Sequence, residues 1–138
     1  MEICGICESL DVPALFENEL WHVRHLQPAG VPGWMVMTAK RHVAGPAYFD
    51  DREAASLGPA LRHFERVLER VTGALRIYTA ALGERYPHFH AHMVPRYAAA
   101  PATGWDLFDL ERAPVDPAEV ARLSAAYAQA LRDDPYRI

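Results

Sequence analysis

The sequence predicts an α+β fold: a five-stranded antiparallel sheet with a long helix packed on it and a further helix near the C-terminus. Two observations lead there. Three short apolar segments come first, then a helical stretch, two more strands and a last helix. Strands that follow one another without intervening helices pair antiparallel. The chain has 138 residues, 51% of them hydrophobic and 23% charged. That is enough for one core without disulfide staples, so a single domain over residues 1–138 is expected.

Taken in order, Leu15 to Glu17 and Trp21 to Leu26 read as two strands joined by a polar Asn18-Glu19 turn. The second alternates apolar Val23 with polar neighbours, the period of a half-buried strand. Pro28, Gly30, Pro32 and Gly33 mark a loop, and Trp34 to Thr38 is a compact apolar strand followed by basic Lys40-Arg41-His42. Leu57, Leu61, Phe64, Leu68 and Val71 recur three or four apart behind Asp50 and Asp51, either of which can cap a helix. Gly58-Pro59 within that stretch predicts a kink or the true start of the helix. Leu75 to Leu82 reads as a strand, Gly83 to Pro87 as a turn, and His88 to Pro95 as a further strand. Asp116-Pro117-Ala118-Glu119 resembles a capping box, with Val120, Leu123, Tyr127 and Leu131 as the apolar stripe of the last helix.

Fourteen basic residues against eighteen acidic ones give a net charge of −4 and a pI near 5.9. This argues against a sequence-independent grip on nucleic acid, which needs a basic face. No apolar run has the length of a membrane span, and Met1 to Glu8 has neither a basic start nor an apolar stretch of secretory type. No membrane partner is expected, and a cytoplasmic location is. In such a compartment Cys4 and Cys7 would be no structural disulfide. Their C-x-x-C spacing is compatible with redox chemistry, half a zinc site or two inert thiols. A thioredoxin-type motif needs a preceding strand that this one lacks, which favours zinc if two more ligands exist.

The informative segment is His88-Phe89-His90-Ala91-His92-Met93. In a strand, alternate side chains share a face. His88, His90 and His92 then project together while Phe89, Ala91 and Met93 enter the core. A row of imidazoles stabilises a fold poorly, so chemistry accounts for it better than packing does. Two uses fit: metal binding, or catalysis at phosphorus, where a neutral imidazole is a nucleophile and a protonated ring nitrogen donates to phosphoryl oxygens.

This segment, with the Val94-Pro95-Arg96 that follows, resembles the signature of the histidine triad (HIT) superfamily: His, apolar, His, apolar, His, apolar, apolar. The resemblance covers roughly residues 3–97, leaving a C-terminal helical extension over about 116–133. It implies a HIT-like fold and a hydrolase acting at the α-phosphate of a dinucleoside polyphosphate or nucleoside phosphoramidate. His90 would attack phosphorus to form a covalent nucleotidyl intermediate, with His92 donating to phosphate oxygens and the leaving group. Gly83 matches the position whose backbone amide faces the phosphate. The resemblance also implies a structural zinc on Cys4, Cys7, His42 and His88, and a homodimer. A nucleotidyltransferase or phosphorylase with the same intermediate, or a silent nucleotide-binding module, are the alternatives.

Three positions depart from the family pattern. Gly83-Glu84-Arg85 replaces Gly-Gln-Ser/Thr before the triad, which makes Arg85 the substitute phosphate contact. Ile77 stands where an Asn or Gln is usual. The acidic ribose-binding position falls at His25 or Leu26, which makes His25 a candidate substrate contact. His63 reads as solvated surface and His22 as a strand-face residue, while Lys40, Arg41 and Arg96 are local cations that could attract polyphosphate.

Overall fold

A computed structural model describes residues 4–109 and 111–137. Met1 to Ile3, part of the stretch read for a leader, lie outside the described residues, as do Leu110 and Ile138. A short helix α1 (Gly5–Ser9) precedes strands β1 (Phe16–Glu17), β2 (Trp21–His25) and β3 (Met35–Ala39). Helix α2 (Asp51–Thr72) leads to β4 (Arg76–Ala80) and β5 (His90–Arg96), and α3 (Pro117–Asp133) ends the fold. The strands form one antiparallel sheet in the order β1-β2-β3-β5-β4. The expected five strands are all present. β5 begins at His90, not His88: the Phe89 carbonyl still accepts from Ala39 N–H of β3 at 3.0 Å, but its N–H donates past the end of β3 to Val43 O at 2.7 Å.

Asp50 starts α2 with a complete capping box, its side chain accepting from Glu53 N–H while the Glu53 carboxylate accepts from Asp50 N–H. The helix does not start at Gly58-Pro59 but runs through it. Proline at 59 removes one ladder donor, yet Pro59 is exposed and Ala60 faces the core, so water can serve the carbonyl left without its partner. At α3 the cap is simpler than a box. Asp116 accepts from Ala118 N–H at 2.8 Å, but Glu119 pairs with Arg122 and does not reach back.

One sheet face carries Trp21, Val23, Met35, Met37, Ala91 and Met93, packed against Phe64, Val67 and Leu68 of α2 and Tyr127 and Leu131 of α3. Burying such side chains is worth about 1.5–3 kcal/mol each, and Ala91 and Met93 anchor β5 in this core. The helices leave the opposite face to the residues of the other parity. There the strand register sets His22, Thr38 and His90 on one rung and Arg24, Val36 and His92 on the next. A smaller apolar cluster of Trp34, Val36, Val94 and Leu107 covers the far end of that face. His63 is not free surface: its Nε2 donates to Asp134 O at 2.7 Å, pinning the end of α3.

Candidate functional site

Four side chains converge where α1 meets the start of β5. Cys4, Cys7, His42 and His88 each offer one ligand atom, and these atoms all lie within 4.8 Å of one another. His88 Nδ1 is 3.3 Å from Cys7 Sγ and 3.7 Å from Cys4 Sγ, and His42 Nδ1 is 3.2 Å from Cys7 Sγ. A tetrahedral zinc with ordinary bond lengths separates its ligands by roughly 3.3–3.8 Å, so the group has the right span. The His88 ring is also in the right tautomer. Its Nε2 lies 2.7 Å from the Ala39 carbonyl. A carbonyl only accepts, so Nε2 carries the proton and Nδ1 is left with its lone pair toward the cysteines. Burial, with help from His42 and His90, lowers its pKa and keeps the ring neutral, the ligating state. These residues could therefore hold a metal, and the set has no open position.

His90 and His92 stand side by side on β5, ring centroids 5.2 Å apart. Their backbone and side-chain partners fix the protons. His90 Nδ1 lies 2.8 Å from the His88 carbonyl and donates to it, so the neutral ring keeps its lone pair on Nε2. Trp34 Nε1–H donates to His92 Nδ1 at 2.9 Å. An indole N–H only donates, so His92 Nδ1 must be bare and Nε2 must carry the proton. Burial, then the charges of His90 and Arg24, pushes the His92 pKa down to about 4. With both rings neutral, the pair presents one nucleophilic nitrogen and one N–H donor.

Gly83 comes to His90. It lines a pocket of about 80 Å³ with Ala44, Gly45, Phe89 and His90. Its φ of +64° is a left-handed conformation that suits glycine. Arg85 does not join them: it is exposed and lies over the Tyr86 ring at 5.7 Å. Nor is His25 available as a substrate contact. It is 7% exposed; its Nδ1 donates to Leu26 O at 2.7 Å and its Nε2 accepts from Gly33 N–H at 3.0 Å. Both ring nitrogens brace the loop before β3. Gly33 permits this with φ +84°, where an added Cβ would come within 3.0 Å of Thr72. Ile77 packs against the helix-side core. Lys40 is paired with Glu17, and Arg41 with the buried Glu53 at 2.6 Å.

Trp34, which the sequence shows only as the start of a compact apolar strand, is 3% exposed and has a role at the site that the sequence pattern does not reveal. Its two-residue offset from Val36 puts it on the histidine face, a signal that becomes visible only once the β3–β5 register is known.

No protein-family model matches the sequence, and no curated protein is similar to it. Solved structures do share its fold. A hypothetical histidine triad nucleotide-binding protein of Sulfolobus tokodaii superposes with a TM-score of 0.75 at 15% identity, covering 94% of this chain and 93% of that one. A histidine triad protein of Bradyrhizobium japonicum gives 0.74 at 22% identity, with 94% and 96% covered. A zinc-bound histidine triad family protein of Mycobacterium smegmatis gives 0.69 at 19% identity, with the same 94% and 96% covered.

Proposed function

From a chain with the histidine triad fold, we propose a nucleotidyl hydrolase that works through a covalent intermediate on His90. The observation that carries this reading is the opposite tautomers of His90 and His92, each fixed by a partner that can play only one role. His90 Nε2 would attack the α-phosphorus of a dinucleoside polyphosphate or nucleoside phosphoramidate. An N–P bond forms as the bond from phosphorus to the leaving group breaks. His92 Nε2–H would donate to the phosphoryl oxygens as their charge grows, a stabilisation aimed at the transition state. The Gly83 segment would close the pocket around the reacting phosphate. Water then attacks phosphorus, the N–P bond breaks, and the nucleoside monophosphate leaves with His90 restored.

A zinc ion on Cys4, Cys7, His42 and His88 belongs to the same proposal as a structural element. Bound there, it would tie the N-terminal segment to the residue two before the nucleophile, with no part in the reaction. The open edge of β4 supports a homodimer built by joining sheets.

The experiment is turnover of diadenosine triphosphate and adenosine 5′-phosphoramidate by wild type and His90→Ala. The expected result is hydrolysis by the wild type and loss of at least a thousandfold in a variant whose circular dichroism is unchanged. Equal rates for the two proteins would remove His90 as nucleophile.

A further inference from the structure

The histidine face of the sheet carries a cation without a counter-ion. Arg24 on β2 shares its rung with Val36 and His92. Neighbouring strands lie about 4.8 Å apart, so the two backbones are separated by about 10 Å with only Val36 between them, a gap an arginine stem can cross. Among the described residues the Arg24 side chain makes no hydrogen bond or ion pair, and its Nε is buried with no partner. Lys40, Arg41 and Arg52 each pair with a carboxylate, of Glu17, Glu53 and Glu19 in turn, and Arg24 does not. Arg76 and Arg96 lie two rungs beyond His92.

Arg24 is not the sole open position on these rungs. Four buried side-chain polar atoms lack partners among the described residues, and three of them, on Arg24, His22 and Thr38, sit on the two rungs that carry His90 and His92. Buried polar atoms are normally satisfied, and a half-buried guanidinium is unfavourable unless an anion faces it. Burial alone pushes the Arg24 pKa down, with no carboxylate to oppose it. Its charge in turn acts against protonation of His92.

We propose that Arg24 binds a second phosphate of the substrate, joined to the one that His90 attacks, so that the preferred substrate is a phosphoric anhydride and not a phosphoramidate. The inference rests on the hydrolase reading and narrows it. The leaving-group chemistry points the same way. Cleaving an anhydride releases a phosphate that departs as an anion and needs no proton. Releasing an amine from a phosphoramidate needs one, and a cation beside His92 discourages that ring from carrying it. Arginine suits the task, since its planar fork meets two phosphate oxygens at once.

The test compares kcat/KM for diadenosine triphosphate and adenosine 5′-phosphoramidate in wild type, R24Q and R24K. The ratio of the two should fall at least tenfold in R24Q and recover in part in R24K. A loss of His92 function would lower both substrates together, so an unchanged ratio overturns the proposal. Because Arg24 has no partner to lose, R24Q should melt no lower than wild type; a clear drop in Tm also overturns it. If the wild type turns over neither substrate, the hydrolase reading fails by itself. The subsite is then judged by calorimetric titration with inorganic pyrophosphate. Binding that is weakened at least tenfold in R24Q sustains it, and binding that is absent or equal in the two proteins removes it.

Discussion

Replacing Trp34 by Phe is the sharpest perturbation of the pair of tautomers. Trp34 is 3% exposed and its indole N–H holds His92 Nδ1 at 2.9 Å. Phenylalanine keeps most of the ring packing against Phe108, whose centroid lies 5.4 Å away, but removes the donor. A buried acceptor left unmatched costs about 1–3 kcal/mol, and the smaller ring leaves a void worth about 1 kcal/mol. Stability should therefore fall by about 2–4 kcal/mol in urea melts. The catalytic effect follows from the proton. Without Trp34, His92 can move its hydrogen to Nδ1 and present a bare Nε2 to the phosphate. Losing one hydrogen bond to a charged group costs about 1.5–3 kcal/mol, which is roughly tenfold to a hundredfold in kcat. KM should change little, because the bond strengthens as charge develops. Steady-state kinetics give the kcat and KM split, and nitrogen-15 NMR of the imidazoles reports the tautomer. A kcat within twofold of wild type, with His92 shown to have lost its single tautomer, refutes the reasoning.

Two further predictions concern acid and metal. His92 takes up a second proton, on Nδ1, only below about pH 4 when folded, against about 6.5 when unfolded. Between these values the unfolded chain binds more protons, so stability rises with pH across the window and is lost as pH falls from about 6.5 toward 4. The contribution is on the order of 3 kcal/mol, and His92→Gln should remove that part of the slope in urea melts at pH 7, 5.5 and 4.5; an unchanged slope contradicts it. The Cys4, Cys7, His42 and His88 group should retain about one zinc per chain after gel filtration. Cys7→Ser should lower that content severalfold and expose the segment before β1 to limited proteolysis, whereas a zinc content equal to wild type would remove Cys7 from the ligand set.

The sheet, both long helices and the split of β5 into core and chemical faces were legible because period-two and period-3.6 patterns report burial directly. The metal group was legible only through the resemblance to the histidine triad superfamily, since the C-x-x-C spacing by itself left redox chemistry, half a zinc site and inert thiols all open. What lay beyond reading were effects of register and backbone direction. His88 looked like the first member of a strand face, but β5 starts only at His90 and the His88 ring lies against Cys4 and Cys7. His25 looked available for substrate until the loop donated Gly33 N–H to it, a contact that depends on a left-handed glycine. Trp34 acquires its role by standing against His92, 58 residues on in sequence, and Arg24 shares a rung with the same histidine across β3. Lys40 and Arg41 looked free because their carboxylate partners come from β1 and α2.

The central claim is that His90 Nε2 becomes bonded to phosphorus. It is tested most directly by mixing the protein with diadenosine triphosphate, quenching in base, where an N–P bond survives, and mapping the peptides by mass spectrometry. A nucleotidyl group is expected on the peptide carrying His90, absent from His90→Ala. Multiple turnovers with no adduct at any time after mixing, or an adduct on another residue, would contradict it.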